Sequence, residues 1–232
     1  MTNFAGEFFY YDLFATKGIE YIIVIGFLLA LVGFWKWVST SPYAETLVPA
    51  EAGFARWFLF PENLYYHRGH TWAKEEEGYL KVGIDDFAQK LVGRPEAIEL
   101  PSVGEKLDQG GRAIKFRVDS KAIEMVSPVK GEVVDINEEV LKNPSVLTED
   151  PYEKGWLIKV RPDDTKRNLR NLISGSLAKV WFEESVEALK ERISGRLGYL
   201  LQDGGVPVSG MAKMIDERNW DRICREFFLT ED

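Results

Sequence analysis

The hydrophobic pattern changes period twice along the chain. From Tyr21 to Trp35 it is apolar without a charge, "YIIVIGFLLALVGFW", and "KWV" carries it on to Val38. A run of that length, near the ~20 residues a helix needs to cross a bilayer, predicts one N-terminal transmembrane helix over 19–38 behind a tail at 1–18. Phe8, Phe9, Tyr10 and Tyr11 precede the run and Trp35 and Trp37 close it, the placement of interfacial aromatic belts. A cleaved signal peptide fits less well: Glu7 and Asp12 outweigh Lys17 ahead of the run, and "KWVSTSPY" makes a poor cleavage site. Lys36 and Arg56 follow the run, whereas Lys17 precedes it, so the positive-inside rule expects a single-pass protein with its C-terminal body on the cytoplasmic side. Gly26, Ala30 and Gly33 share a helical face, where small side chains let a membrane partner approach closely. Such residues are equally common in spanning helices without that role.

Residues 39–60 read as a linker, ending in the apolar patch "ARWFLF" that either lies on a membrane surface or covers the next domain. From 61 to 162 the period becomes two. "GYLKVGI", "AIELPSVGEKL", "RAIKFRVD", "AIEMVSPVKGEVVDI" and "GWLIKVRP" alternate between turn signals, and many short strands at close intervals predict a mainly β sandwich or barrel. "DDFAQKLVG" breaks the pattern with helical spacing behind an Asp cap. "KEEEG" reads as a solvated turn.

From 163 to 232 the spacing is helical. Asp163 and Asp164 are candidate caps, Gly175 interrupts the run, and Val186, Leu189 and Ile193 form one stripe. A Gly-Gly turn and a candidate cap at Ser209 precede Met211, Met214, Ile215, Trp220, Ile223 and Phe227, which share an apolar face. This extension either folds back over the sandwich or docks on another subunit, with Trp220 and Phe227 as the candidate anchors in a partner's pocket.

Composition removes several functions. A formal net charge of −8 offers no broad basic face, so nucleic acid is not an expected partner. Cys224 is the single cysteine, which excludes an internal disulfide and a cysteine-rich metal site. His67 and His70 are three apart without a third ligand in view, so no metal is expected. No phosphate-binding glycine loop and no Ser-His-Asp set can be assembled. The chain reads as a non-enzyme.

Over about Pro61 to Pro162 the chain carries "HTWAKEEEGYLKVGIDDFAQKLVG", "IELPSVGEKLDQG" and "SPVKGEVVDINEEVLKNPSVLTEDPYEKGWLIKV". Together these stretches resemble the glycine cleavage system H protein family, which has a His-x-Trp start and a Gly-Ile-Thr-Asp-x-Ala-Gln helix in the first of them. Glu149 to Tyr152 with Gly155 and Trp156 is the most specific block of the likeness. The resemblance implies a lipoyl-type β-sandwich, a barrel-sandwich hybrid, carrying an aminomethyl group on a lipoyl arm attached to a lysine, with partner enzymes doing the chemistry. The family's lysine stands seven residues before the Ser-Pro. Without gaps that position is Ser120, and Lys121 is one place late; the glutamate usual three residues ahead is Arg117 here. Along a strand a one-residue slip reverses the side chain's face, and a serine hydroxyl cannot replace an amine in an amide.

Two functions follow. In the first, a membrane-anchored, non-lipoylated H-like domain is a docking or structural module among the subunits of a membrane complex, such as a redox or respiratory one, and holds no cofactor. In the second, the chain is a membrane-tethered carrier with lipoate on Lys121. The off-register lysine, the missing acidic context and the anchor select the first as the expectation.

Overall fold

The computed structural model describes residues 13–39, 57–193, 201–202, 206–207 and 209–231. It divides into two compact units, Met1–Glu45 and Thr46–Asp232. The first holds helix α1, Leu13–Ser39. Its described side chains, 20–36, are all exposed, among them Tyr21, Phe27 and Trp35. A Cβ added at Gly26 or Gly33 would meet nothing within 4 Å, and Ala30 on the same face is exposed. Among the described residues no helix is long and apolar enough to cross a membrane, so the span expected over 19–38 is not met there.

In the second unit the order is β1 Tyr65–His67, β2 Thr71–Glu76, β3 Tyr79–Ile84, α2 Asp86–Val92, β4 Ala97–Glu99, β5 Lys106–Leu107, β6 Arg112–Val118, β7 Lys121–Val126 and β8 Gly131–Ile136. There follow α3 Glu138–Lys142, α4 Ser145–Glu149, β9 Ile158–Pro162, α5 Thr165–Arg170, α6 Gly175–Ile193, β10 Leu201–Gln202, β11 Val206–Pro207, α7 Met211–Ile215 and α8 Trp220–Phe228. One sheet runs β1-β2-β3-β9-β8-β5, a second β4-β6-β7, and β10-β11 form a separate hairpin. The alternation read from the sequence sets the inner faces. Leu80, Val82 and Ile84 of β3, Ile114 and Phe116 of β6, Ile123 and Met125 of β7, and Ile158 and Val160 of β9 are all buried, as strand geometry requires of positions two apart.

The single helix expected between strands is α2. Asp85 caps it, its Oδ1 accepting from the Ala88 amide at 2.8 Å, which satisfies one of the donors a helix start leaves open. Of the patch "ARWFLF", the described residues 57–60 cover this region instead of lying free: Phe58 and Phe60 are buried. Tyr152, from the "EDPY" block, fastens it. Its hydroxyl donates to the Leu59 carbonyl at 2.6 Å and accepts from the Asp86 amide at 3.0 Å. Burial, first of all, pushes that hydroxyl's pKa well above the usual value, so it stays a donor.

The extension folds back. Ala178, Phe182, Val186, Leu189 and Ile193 of α6 are buried, and Phe182 meets Phe60 at 4.6 Å and Phe58 at 6.1 Å between ring centroids. Asp164 caps α5 through the Arg167 amide at 3.0 Å. Ser209 is not a cap: Gly210 holds that position before α7, with φ 86° and no side-chain bond to the helix. Its amide donates to the Lys90 carbonyl at 2.9 Å, docking the extension on the end of α2. A Cβ at Gly93 there would stand 2.9 Å from the Gly210 Cα, so this approach demands glycine. Helices α3 and α4 were not expected.

Candidate functional site

The site is built on the β6–β7 hairpin. Val118 pairs with Lys121, leaving Asp119 and Ser120 as a two-residue turn. Asp119 takes φ 52°, a left-handed conformation that Asp tolerates better than most residues. Ser120, the ungapped family position, is exposed on that turn. Lys121 is the first residue of β7 and shares its face with Ile123 and Met125, both fully buried. The one-residue slip therefore turns the lysine toward the inner side, as strand alternation dictates.

What it meets there is the extension. Helix α8 packs on β7. The Lys121 amine donates to Asp221 Oδ1 and, at 2.5 Å, to the Arg218 carbonyl. It also lies 5.6 Å from the centroid of the Trp220 ring, within cation–π range. The Lys121 side chain is 29% exposed and that of Asp221 18%. Burial acts to raise the Asp221 pKa, but the Lys121 hydrogen bond and charge, with Arg225 beyond, outweigh it and leave the carboxyl below its ordinary value. Arg225 Nη2 donates to the second oxygen, Oδ2, at 3.0 Å. On the turn itself Lys213 of α7 donates to Asp119 at 2.7 Å. The tip thus carries Asp119 and Lys121, and the extension answers with Lys213 and Asp221.

A cleft of about 610 Å³ opens between the tip and the extension, with Val118, Asp119, Met214 and Trp220 among its walls. An arm attached through an amide needs a primary amine and room beside it. Lys121 supplies the amine and the neighbouring cleft the room, so the residues fit a lipoyl group once the amine leaves its present partners. Arg117, where the family has an acid, pairs with Glu99 across the sheet instead.

The other sequence candidates do not form a site. His70 is buried, its Nδ1 2.7 Å from Asp85 Oδ2 and its ring stacked 4.2 Å from Phe87, which is a packing role. His67 Nδ1 accepts from the Gly69 amide at 3.0 Å; burial chiefly, with His70 nearby, lowers its pKa. No three His, Cys, Asp or Glu side chains among the described residues are placed to hold a metal. Burial pushes the Cys224 thiol far up, which keeps it inert. The candidate partner anchors Trp220 and Phe227 lie against their own unit. Trp220 is 2% exposed within its own chain, and Phe227 is half-buried, 5.2 Å from Phe87 and beneath the Arg192 guanidinium. The apolar face of α8 is Trp220, Cys224 and Phe228, and it is spent internally.

Asp221, Lys213 and the Arg218 carbonyl were missed by sequence reasoning. Asp221 carried only the weak signal of an acid in a helix's first turn, which says nothing of a lysine 100 residues away.

Comparison with known proteins adds the lineage. The family model described as "Glycine cleavage H-protein" matches residues 64–185, which takes in the sandwich, α5 and part of α6 and leaves α7 and α8 outside. The glycine cleavage system H protein of Oceanobacillus iheyensis is 37% identical over 127 residues, 53% of this chain and 98% of that one. That of Carboxydothermus hydrogenoformans is 43% identical over 102 residues, 44% of this chain and 78% of its own. A crystal structure of a glycine cleavage system H protein from Mycobacterium marinum aligns with a TM-score of 0.48 at 23% identity, over 54% of this chain and 98% of that chain. The family model and the two sequence relatives carry nothing of a membrane complex or of redox chemistry, and of the two functions expected from the sequence they favour the carrier. From Leu64 onward through the sandwich, this chain belongs to the glycine cleavage H-protein family.

Proposed function

We propose that this protein is a lipoyl carrier whose arm is attached to Lys121, and that it acts with partner enzymes as a non-catalytic component of the glycine cleavage type. The observation that carries the reading is Lys121 itself: a primary amine directly after the two-residue turn of the family's hairpin, beside a cleft with room for an arm. When bound, a lipoyl group supplies a dithiolane that opens to accept and pass on an aminomethyl group. The chain's own residues do the rest. The β6–β7 turn holds the attachment point at the end of a rigid sheet, and Val118 and Trp220 line an apolar side of the cleft.

The test is acylation of the purified full chain by a lipoate ligase with lipoate and ATP, read by mass. The wild type gains one lipoyl increment, mapped to Lys121, and Lys121→Arg gains none. An increment on another lysine, or none, sinks the assignment.

A second reading has an observation of its own: the ion pair to Asp221 on the inner face. In it Lys121 stays unmodified and ties the extension to the sheet. Its signature is loss of stability on Lys121→Met in a chain that no ligase modifies.

We also propose that α1 tethers the carrier to a membrane, with the second unit on the cytoplasmic side. The support is the exposed apolar surface from Tyr21 to Trp35 and the charge placement around it. Recovery of the chain from the soluble fraction of cells, with no detergent, would remove the tether.

A further inference from the structure

Resting on the carrier reading, we infer that the C-terminal extension is a latch on Lys121: α8 seated as it is here and an acyl group on the lysine exclude one another. The amine spends its hydrogen bonds on Asp221 Oδ1 and the Arg218 carbonyl and presses its charge on the Trp220 face. Acylation removes all of that. The Nζ–C bond forms, the C–O bond of an acyl adenylate breaks, AMP departs with the electron pair and two of the ammonium's three protons pass to solvent. What remains is a neutral amide with one N–H, and an acyl carbon that needs space now taken by Asp221, Arg218 or Trp220. The cation that held α8 is gone.

Release is built in. Asp221 keeps Arg225 on its other oxygen at 3.0 Å, so the carboxylate is not orphaned when the lysine leaves; an orphaned buried charge would forbid the opening. The turn's second clamp, Lys213 on Asp119 at 2.7 Å, is about half exposed on both sides and is weak for that reason. Against opening stand Trp220, Cys224 and Phe228, each buried, which return α8 to its seat when no acyl group is present. The latch residues lie beyond the family match, which ends at residue 185. It is therefore a device of this chain's extension, gating which molecules expose the attachment point.

The test uses the full chain with lipoate ligase, lipoate and ATP, comparing the wild type with Asp221→Asn. The isosteric change keeps the side chain's shape and removes its charge. Two readouts are taken: the rate of the mass increment at Lys121, and deuterium uptake across 211–230 before and after modification. The latch predicts modification about fivefold faster in Asp221→Asn, the scale of a single part-exposed ion pair. It also predicts faster uptake across 211–230 in the modified wild type than in the unmodified one. Equal rates with unchanged uptake overturn the latch and leave the carrier standing. No increment in either chain overturns the carrier reading, and the latch with it. Uptake across 64–162 in unmodified Asp221→Asn, matched to wild type, shows that the variant keeps its fold.

Discussion

Replacing Phe182 by Ala is expected to loosen the whole second unit rather than the extension alone. The ring sits on α6, 3% exposed, with its centroid 4.6 Å from Phe60, 6.1 Å from Phe58, 6.2 Å from Phe87 and 6.2 Å from Trp181. These partners come from the segment before the sandwich, from α2 and from α6 itself. Truncating a buried Phe destabilises by about 3–5 kcal/mol, through lost transfer energy plus the cavity left behind. Lost aromatic pairings add roughly 0.5–1.5 kcal/mol where the geometry is tilted or edge-on. Because the surroundings relax in part, the expected total is about 4 kcal/mol. The assay is equilibrium urea unfolding of the full chain, followed by tryptophan fluorescence and far-UV dichroism together. Leu177→Ala on the same helix is the control: that side chain is 63% exposed, and a change within about 0.5 kcal/mol is expected. Phe182→Ala should move the midpoint with the slope unchanged and both probes coincident. A loss below about 1 kcal/mol, or an early transition confined to the helices, would refute the shared core.

Three further outcomes are expected. Gly83→Ala places a Cβ 2.5 Å from Trp72 Cζ2, on an indole that is fully buried and donates to the Ile84 carbonyl at 2.9 Å; overpacking should cost about 1–3 kcal/mol in the same unfolding assay, and a neutral result would mean the pairing is looser than drawn. Asp85→Ala removes both the α2 cap and the buried partner of His70, with an expected loss of about 2–4 kcal/mol; thermal unfolding that leaves Asp85→Ala within error of wild type would contradict that. The Asp221 and Glu226 carboxyls both lie below their ordinary values, the second held chiefly by the Arg192 hydrogen bond. A lowered folded pKa contributes stability above the unfolded value, about pH 4, that is lost as pH falls through the folded one. Deuterium uptake across 220–228 should accordingly hold steady from neutral pH to about pH 4, after correction for intrinsic exchange, and rise below it; a rise already under way near pH 6 would point to another group.

Much of the fold was legible because its physics is local. Alternation marked the strands, and Asp85 marked α2. The signal for α3 was present and passed over: Asn137 accepts from the Glu139 and Val140 amides, and an Asn before two glutamates is a helix start. The α8 face was misread by one position because Ile223 and Phe227 make as good an apolar stripe as Cys224 and Phe228. Cysteine's tendency to be buried was the clue that separates the two. The surroundings of Lys121 were not legible at all. Hairpin register predicted that the slipped lysine changes face, but which element waits on that face is decided by the packing of a segment distant in sequence. No local period encodes the meeting of Lys121 with Asp221.

The most direct measurement is the intact mass of the full-length protein isolated from its native cells, with peptide mapping across Arg117 to Lys130. A lipoyl-sized increment on Lys121 is expected. An unmodified Lys121, in material whose other lipoyl proteins are fully modified, would contradict it and leave the lysine as a structural tie.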